Sequence, residues 1–138
     1  MTNKIKKRME VSNRLMISNE KYNPDDNPPR FSFKKLMDSD IFGWQSLDNN
    51  HKLAFANTLY NLSQRTWAEL RILPRHGLGY EKINRTSLKL QLPKNIPTES
   101  NIISFRFKDK ASMIGYRSSF GTFYIIAFDS KFKAYKHN

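Results

Sequence analysis

The sequence predicts an α+β domain in which two helices pack on one face of a twisted antiparallel β-sheet, with the element order β-α-α-β-β-β-β. Two observations carry this prediction. The C-terminal stretch, residues 101–138, holds three β-rich runs separated by short polar or glycine-containing breaks, and residues 48–73 carry apolar side chains at helical spacing. A chain of 138 residues fits one domain of this kind.

The predicted C-terminal meander consists of three runs, at residues 102–108, 113–118 and 122–128. In the first run apolar and polar residues alternate, which is typical of a strand that is buried on one face only. The third run is apolar at nearly every position, as expected for a strand inside the sheet. We therefore expect one apolar sheet face under the helices and one face that carries arginines.

The sequence predicts a boundary at about residue 31. Residues 1–30 are interpreted as a basic leader or linker, because the prolines at positions 24, 28 and 29 oppose regular structure. Residues 31–138 then form the single domain. Its first strand is expected at residues 31–36, where side chains alternate and two lysines suit a sheet edge.

Two helices are expected between this strand and the meander. Asp48 suits the N-cap of a first helix that runs to about Leu62, and Ser63 suits the N-cap of a second helix that ends before Pro74. The apolar stripe of the first helix is expected to contain Leu53, Ala56, Leu59 and Tyr60. Leucines that alternate with polar residues predict a further strand at residues 83–92.

Positive charge is concentrated in the sheet half of the chain. The net charge is +12, and residues 74–138 hold twelve Lys or Arg against four acidic residues, a net charge of +8. Residues 31–73 carry only +1 and residues 1–30 carry +3. A basic surface with interleaved aromatic residues favours a polyanionic partner, of which nucleic acid is the commonest.

Several classes of protein are disfavoured by what the sequence lacks. There is no cysteine, so disulfides, thiolate metal sites and cysteine nucleophiles are excluded. Three histidines and scattered carboxylates predict no metal site, and no phosphate-binding or dinucleotide-binding glycine motif predicts a cofactor. No apolar run reaches the ~20 residues that span a bilayer, and no secretory signal is recognisable, so we expect a cytoplasmic protein with no membrane partner.

Candidate site residues lie in the C-terminal meander and at the end of the chain. Arg106 and Arg117 are expected on the polar face of neighbouring strands, and Tyr135 and His137 close to them. Metal-free RNA cleavage needs a base, an acid and cations around the reacting phosphate, and these residue types supply them. The alternative is that these residues have no role in catalysis: Arg106 and Arg117 would be solvated strand residues, and Tyr135 would cap the core.

The element order and two stretches, FRFKDKASMIGYR and FYIIAFDSKFKAYKH, resemble the RelE/ParE toxin superfamily of bacterial toxin–antitoxin pairs. In that pattern Arg106 and Arg117 match two strand arginines, and Tyr135 or His137 matches the terminal residue. The tail is also similar to ToxN-type endoribonucleases. The resemblance implies a RelE-like fold over residues 31–138 and an mRNA endonuclease, free or ribosome-dependent, that an acidic antitoxin protein inhibits. Related members poison gyrase instead, so the fold leaves the target open.

The loop after the second helix holds further candidates. Arg71 and His76 have a spacing found in HEPN ribonucleases, although Pro74 interrupts the pair and HEPN domains are all-α. His76, Glu81 and Lys82 are alternatively expected to point toward the basic sheet face, and the resemblance implies Glu81 as a candidate base.

The sequence analysis therefore predicts a metal-independent endoribonuclease toxin. Arg106 and Arg117 would hold the scissile phosphate, and His137 would transfer the proton with Tyr135 orienting or replacing it. Contacts to other RNA phosphates are expected from Arg75, His76, Lys82, Lys89, Lys108, Lys133 and Lys136. Two rivals are a non-catalytic nucleic-acid-binding module and an effector that docks on an acidic protein.

Overall fold

The computed structural model describes residues 23–135 of the chain. Within residues 23–135, two helices and five strands form in the order that the sequence predicts, and the α+β class is confirmed. Their bounds are β1 Arg30–Ser32, α1 Asn49–Ser63, α2 Trp67–Ile72, β2 Tyr80–Ile83, β3 Ile102–Lys108, β4 Ala111–Arg117 and β5 Thr122–Asp129. The predicted leader up to residue 22, together with Lys136 and His137, lies outside the described residues.

The five strands form one sheet in the order β1-β5-β4-β3-β2. Strands β2 to β5 pair antiparallel, as expected of a meander joined by short turns. Strand β1, however, runs parallel to β5, with Arg30 beside Thr122. The sheet is therefore mixed and not wholly antiparallel as the sequence predicts. A parallel pair is possible here because the connection from β1 to the meander passes through both helices and is not a hairpin.

Capping side chains set where the two helices begin. The Asp48 carboxylate accepts a hydrogen bond from the His51 backbone N–H at 2.8 Å, which confirms the predicted N-cap of α1. The predicted cap at Ser63 is wrong, because Ser63 is the last residue of α1. Thr66 caps α2 instead and forms a capping box with Glu69.

The apolar stripe predicted for α1 is wrong at Leu53, Ala56 and Tyr60, although Leu59 does pack against the core. The helix buries Phe55, Thr58 and Leu62, whereas the side chains of Leu53 and Tyr60 are 63% and 68% exposed. Both stripes obey the helical period, so the period alone cannot choose between them. The stripe that contains Phe55 is the buried one, since the Phe55 ring packs edge-on against both Phe107 and Phe128 of the sheet.

Two predicted strands have different bounds in the structure. The first strand ends at Ser32 and not at residue 36, although it does lie at a sheet edge. The strand predicted at residues 83–92 lies earlier, at Tyr80–Ile83, because Asn84 caps a short 3-10 turn at Arg85–Ser87. Of the predicted strand residues that follow this turn, 88–92, only Leu88 pairs, in an isolated bridge with Tyr135.

Each face of the sheet carries an apolar cluster. The face under α1 and α2, called here the helix face, contains Trp67, Phe105 and Phe123. The opposite face, called the tail face, is covered in part by residues 88–96 and by the C-terminal tail around Tyr135. Within residues 23–135, no helix combines the length and the apolar character needed to cross a membrane.

Residues 23–30, which the sequence places in the leader, contact the domain. The Trp67 backbone N–H donates to the Asn27 carbonyl at 3.1 Å, and the Arg30 N–H donates to the Gly121 carbonyl at 3.4 Å. Asp25 forms an ion pair with Arg117 at the end of β4. The end of the predicted leader is therefore anchored to the helix face.

Candidate functional site

Five polar side chains from four segments meet on the tail face, and they are called here the tail-face cluster: Arg75, His76, Glu81, Arg106 and Tyr135. Strand alternation positions two of them, because Glu81 stands beside Ser104 across the β2–β3 pair and Arg106 lies two residues further along β3. The loop between α2 and β2 and the C-terminal tail bring the others to this face.

Hydrogen bonds join the members of the tail-face cluster. The Glu81 carboxylate accepts from the Arg75 guanidinium at 2.7 Å and from the Tyr135 hydroxyl at 3.1 Å. Arg106 Nη1 lies 3.2 Å from His76 Nδ1. These bonds form two groups, one around Glu81 and one between Arg106 and His76. The groups lie on one partly exposed surface because Arg75 and His76 are neighbours in the chain.

The contact between Arg106 and His76 restricts which tautomer of the imidazole fits this arrangement. A guanidinium group can donate hydrogen bonds but cannot accept them, so Nδ1 of His76 accepts and carries no proton in this arrangement. The ring proton is then on Nε2. If His76 becomes protonated, this contact has to open, and Arg106 is released for another acceptor.

Burial is the main cause that raises the pKa of the Tyr135 hydroxyl to about 12. The charge of Glu81 also raises this pKa, whereas a hydrogen bond with Ser104 lowers it. The phenol therefore stays protonated throughout the neutral range. In that state it donates to Glu81 and cannot serve as a base. Its hydrogen bond holds the Tyr135 hydroxyl against the Glu81 carboxylate.

Asp129 holds the tail that carries Tyr135. Its side chain is buried at the end of β5, and its two carboxylate oxygens accept hydrogen bonds from the backbone N–H groups of Lys133 and Ala134, at 2.7 and 3.0 Å. These bonds close a tight turn directly before Tyr135. The position of the Tyr135 ring is thus fixed from β5 as well as by its bridge to Leu88.

Phe132 is a candidate that the sequence analysis missed. Its ring lies near two cations, with the Arg106 guanidinium 5.8 Å and the Lys110 ammonium 5.2 Å from the ring centroid. Its backbone φ of 60° lies in the left-handed region, which a bulky residue rarely adopts. Aromatic rings beside cations are the usual platform for unpaired bases, and the signal in the sequence was an aromatic residue within a basic turn.

Arg117 does not join Arg106, which corrects the expectation that both leave one face. Arg117 pairs with Phe123 on the helix face, and its guanidinium lies 4.8 Å from the centroid of the Trp67 ring. It also forms an ion pair with Asp25. The two strand arginines therefore lie on opposite faces of the sheet and cannot hold the same phosphate.

The predicted phosphate-binding lysines are spread over several surfaces. Lys89 is exposed beside the C-terminal tail, and its backbone N–H donates a hydrogen bond to the Ala134 carbonyl. Lys108 lines a shallow depression with Lys110. Lys133 lies over a small cavity near Asp129, and Lys82 points to the helix face. Lys136 and His137 lie outside the described residues.

The HEPN-type pairing of Arg71 with His76 is contradicted by the fold, which is not all-α. Arg71 lies 3.7 Å from Asp25 on the helix side, whereas His76 contacts Arg106 on the tail face. Between residues 23 and 135, no three His, Asp or Glu side chains are grouped so that they could hold a metal ion.

In comparisons with known proteins, no family model, no curated protein and no solved structure matches this chain.

Proposed function

We propose that the chain is a metal-independent endoribonuclease that cleaves RNA at the tail-face cluster. The observation that carries this proposal is the convergence of Glu81, His76 and Arg106 on one partly exposed surface. A carboxylate, an imidazole and a guanidinium are the base, acid and phosphate ligand that cleavage by the 2′-hydroxyl requires. The net charge of +8 on residues 74–138 supports a polyanionic substrate.

In the proposed reaction Glu81 accepts the proton of the 2′-hydroxyl, whose oxygen then attacks the adjacent phosphorus. The bond between phosphorus and the 5′ oxygen breaks, and protonated His76 gives its proton to that oxygen. The products are a 2′,3′-cyclic phosphate and a 5′-hydroxyl. Solvent afterwards returns Glu81 and His76 to their starting protonation states.

Arg106 and Arg75 stabilise the negative charge of the pentavalent phosphate. In the structure Arg106 contacts His76 and Arg75 contacts Glu81, so both proton-transfer groups begin beside a guanidinium. When Arg106 turns to the phosphate, His76 Nδ1 is released and the imidazole can take up a proton. Tyr135 keeps the Glu81 carboxylate in place through its hydrogen bond.

The resemblance to RelE-like toxins supports a biological role for this activity. In that role the chain is the toxin of a toxin–antitoxin pair, it acts on mRNA with or without the ribosome in the cytoplasm, and an acidic antitoxin protein neutralises it. A small gene for an acidic or DNA-binding protein next to this one would support the pairing.

The experiment that tests the proposed function compares the wild type with Arg106→Gln in RNA cleavage with EDTA present. We expect Arg106→Gln to lower the cleavage rate constant about 100- to 1,000-fold, because it removes a cation that faces the developing charge. Arg65→Gln is the matched control, since Arg65 is exposed in the turn between the helices and pairs only weakly with Glu69, at 3.8 Å.

The cleavage assay, together with RNA binding and growth on expression of the wild type, separates the proposal from its rivals. RNA binding without cleavage by the wild type would support a non-catalytic binding module. Growth arrest on expression with intact RNA would instead point to a protein target such as gyrase. Equal cleavage by Arg106→Gln and Arg65→Gln, at equal helix content by circular dichroism, would remove Arg106 from the site.

A further inference from the structure

A cleft of about 610 Å³ lies on the helix face, on the far side of the sheet from the tail-face cluster. It is called here the Arg117 cleft, and its polar lining consists of Arg71, Lys82, Asn101, Arg117, Ser118 and Ser119. Trp67 and Tyr80 supply an aromatic wall. The proton-transfer groups of the proposed reaction lie elsewhere, so this cleft has no part in the chemistry.

The two arginines of the Arg117 cleft are paired with a carboxylate of the same chain. The Asp25 carboxylate forms ion pairs with Arg117 and with Arg71, the latter at 3.7 Å, and the Arg117 guanidinium is fixed against the Trp67 ring. A carboxylate of the chain itself thus occupies the arginine pair. Three cations line the cleft against this one carboxylate, and Lys82 is exposed, so net positive charge remains for a ligand.

The position of Lys82 connects the cleft to the tail-face cluster. Strand β2 is an edge strand of the sheet, and neighbouring residues of a strand point to opposite faces. Glu81 therefore faces the cluster while Lys82, the next residue, faces the cleft. A flexible chain that leaves Glu81 reaches Lys82 by passing over one exposed strand edge.

We propose that the Arg117 cleft binds phosphates of the RNA that flanks the scissile bond, so that the bound strand crosses the edge of β2. This inference rests on the proposed function, since the tail-face cluster must first bind RNA. Lys82 and Arg117 contact the flanking phosphates, and the Ser118 and Ser119 hydroxyls are close enough to the same cleft to donate hydrogen bonds to them. Asp25 competes with these phosphates for Arg117.

The test measures binding of a labelled 2′-O-methyl RNA, which cannot be cleaved, by fluorescence anisotropy at several salt concentrations. Lys82→Gln is expected to weaken binding about threefold and to make the slope of log Kd against log salt shallower by about 0.7, the loss of one phosphate contact. Asp25→Asn is expected to tighten binding, because it frees both arginines. Lys34→Gln, an exposed change beyond β1 at the opposite sheet edge, is expected to leave Kd unchanged.

The two variants change Kd in opposite directions, which a folding defect in either one would not produce. Wild-type affinity in both Lys82→Gln and Asp25→Asn would overturn the inference. It would also be overturned if a labelled acidic peptide, and not the RNA, responded to these changes, since the cleft would then belong to a protein partner. Because the 2′-O-methyl RNA cannot be cleaved, this binding assay tests the Arg117 cleft alone. The cleavage assay tests the nuclease proposal.

Discussion

Replacing Glu81 with glutamine is expected to lower the RNA cleavage rate constant by about 100- to 10,000-fold, the usual contribution of a general base. The amide keeps the size of the side chain and an oxygen that can accept from the Tyr135 hydroxyl, which donates to the carboxylate at 3.1 Å. It cannot take the proton of the 2′-hydroxyl. Single-turnover cleavage of a labelled RNA measures this effect without a contribution from product release.

Glu99→Gln is the matched control for Glu81→Gln. Glu99 is an exposed carboxylate in the loop before β3, outside the tail-face cluster. The control should cleave at the wild-type rate. If Glu81→Gln also cleaved within a few-fold of the wild type, Glu81 would not be the base, and the cluster would need another proton acceptor.

Truncating Trp67 to alanine is expected to cost about 3–5 kcal/mol of the free energy of unfolding. Trp67 is 1% exposed, packs against Phe105 and Phe123, and donates its indole N–H to the Gly121 carbonyl at 2.8 Å. The change leaves a cavity under the sheet and a carbonyl without its donor. Chemical denaturation of the purified chain measures the loss.

Trp44→Ala serves as the comparison for Trp67→Ala, because Trp44 is 38% exposed and lies near the edge of the same core. It should cost clearly less than Trp67→Ala. Similar losses for the two variants would mean that Trp67 does not join α2 to the sheet in the way described here.

The strands of the meander and the first helix were predictable because their signals are local. Alternation marks β3, and Asp48 marks the start of α1. The placement of Arg117 was not predictable, since it depends on one register shift. The β3–β4 ladder pairs Lys108 with Ala111 but Arg106 with Ser112, and so contains one extra residue. Without that bulge Arg117 would share a face with Arg106, as the sequence analysis expected.

The sequence analysis named every member of the tail-face cluster but did not group them as the fold does. Arg106 and Tyr135 were placed at the centre, whereas Glu81 and His76 were only auxiliary candidates. Their roles depend on contacts between distant parts of the chain, such as Arg106 with His76 across 30 positions and Tyr135 with Glu81 across 54. Local patterns carry no information about such contacts, so only the fold could assemble them.

The most direct measurement of the central claim uses an RNA with a single 2′-deoxy nucleotide at a mapped cleavage position. Purified wild-type chain would be incubated with this RNA and with the unmodified RNA in EDTA, both with and without ribosomes. We expect cleavage of the unmodified RNA to leave a 2′,3′-cyclic phosphate and a 5′-hydroxyl, and we expect the substituted bond to stay intact. Cleavage at the substituted bond, or no cleavage of either RNA under any of these conditions, would contradict RNA cleavage by the tail-face cluster.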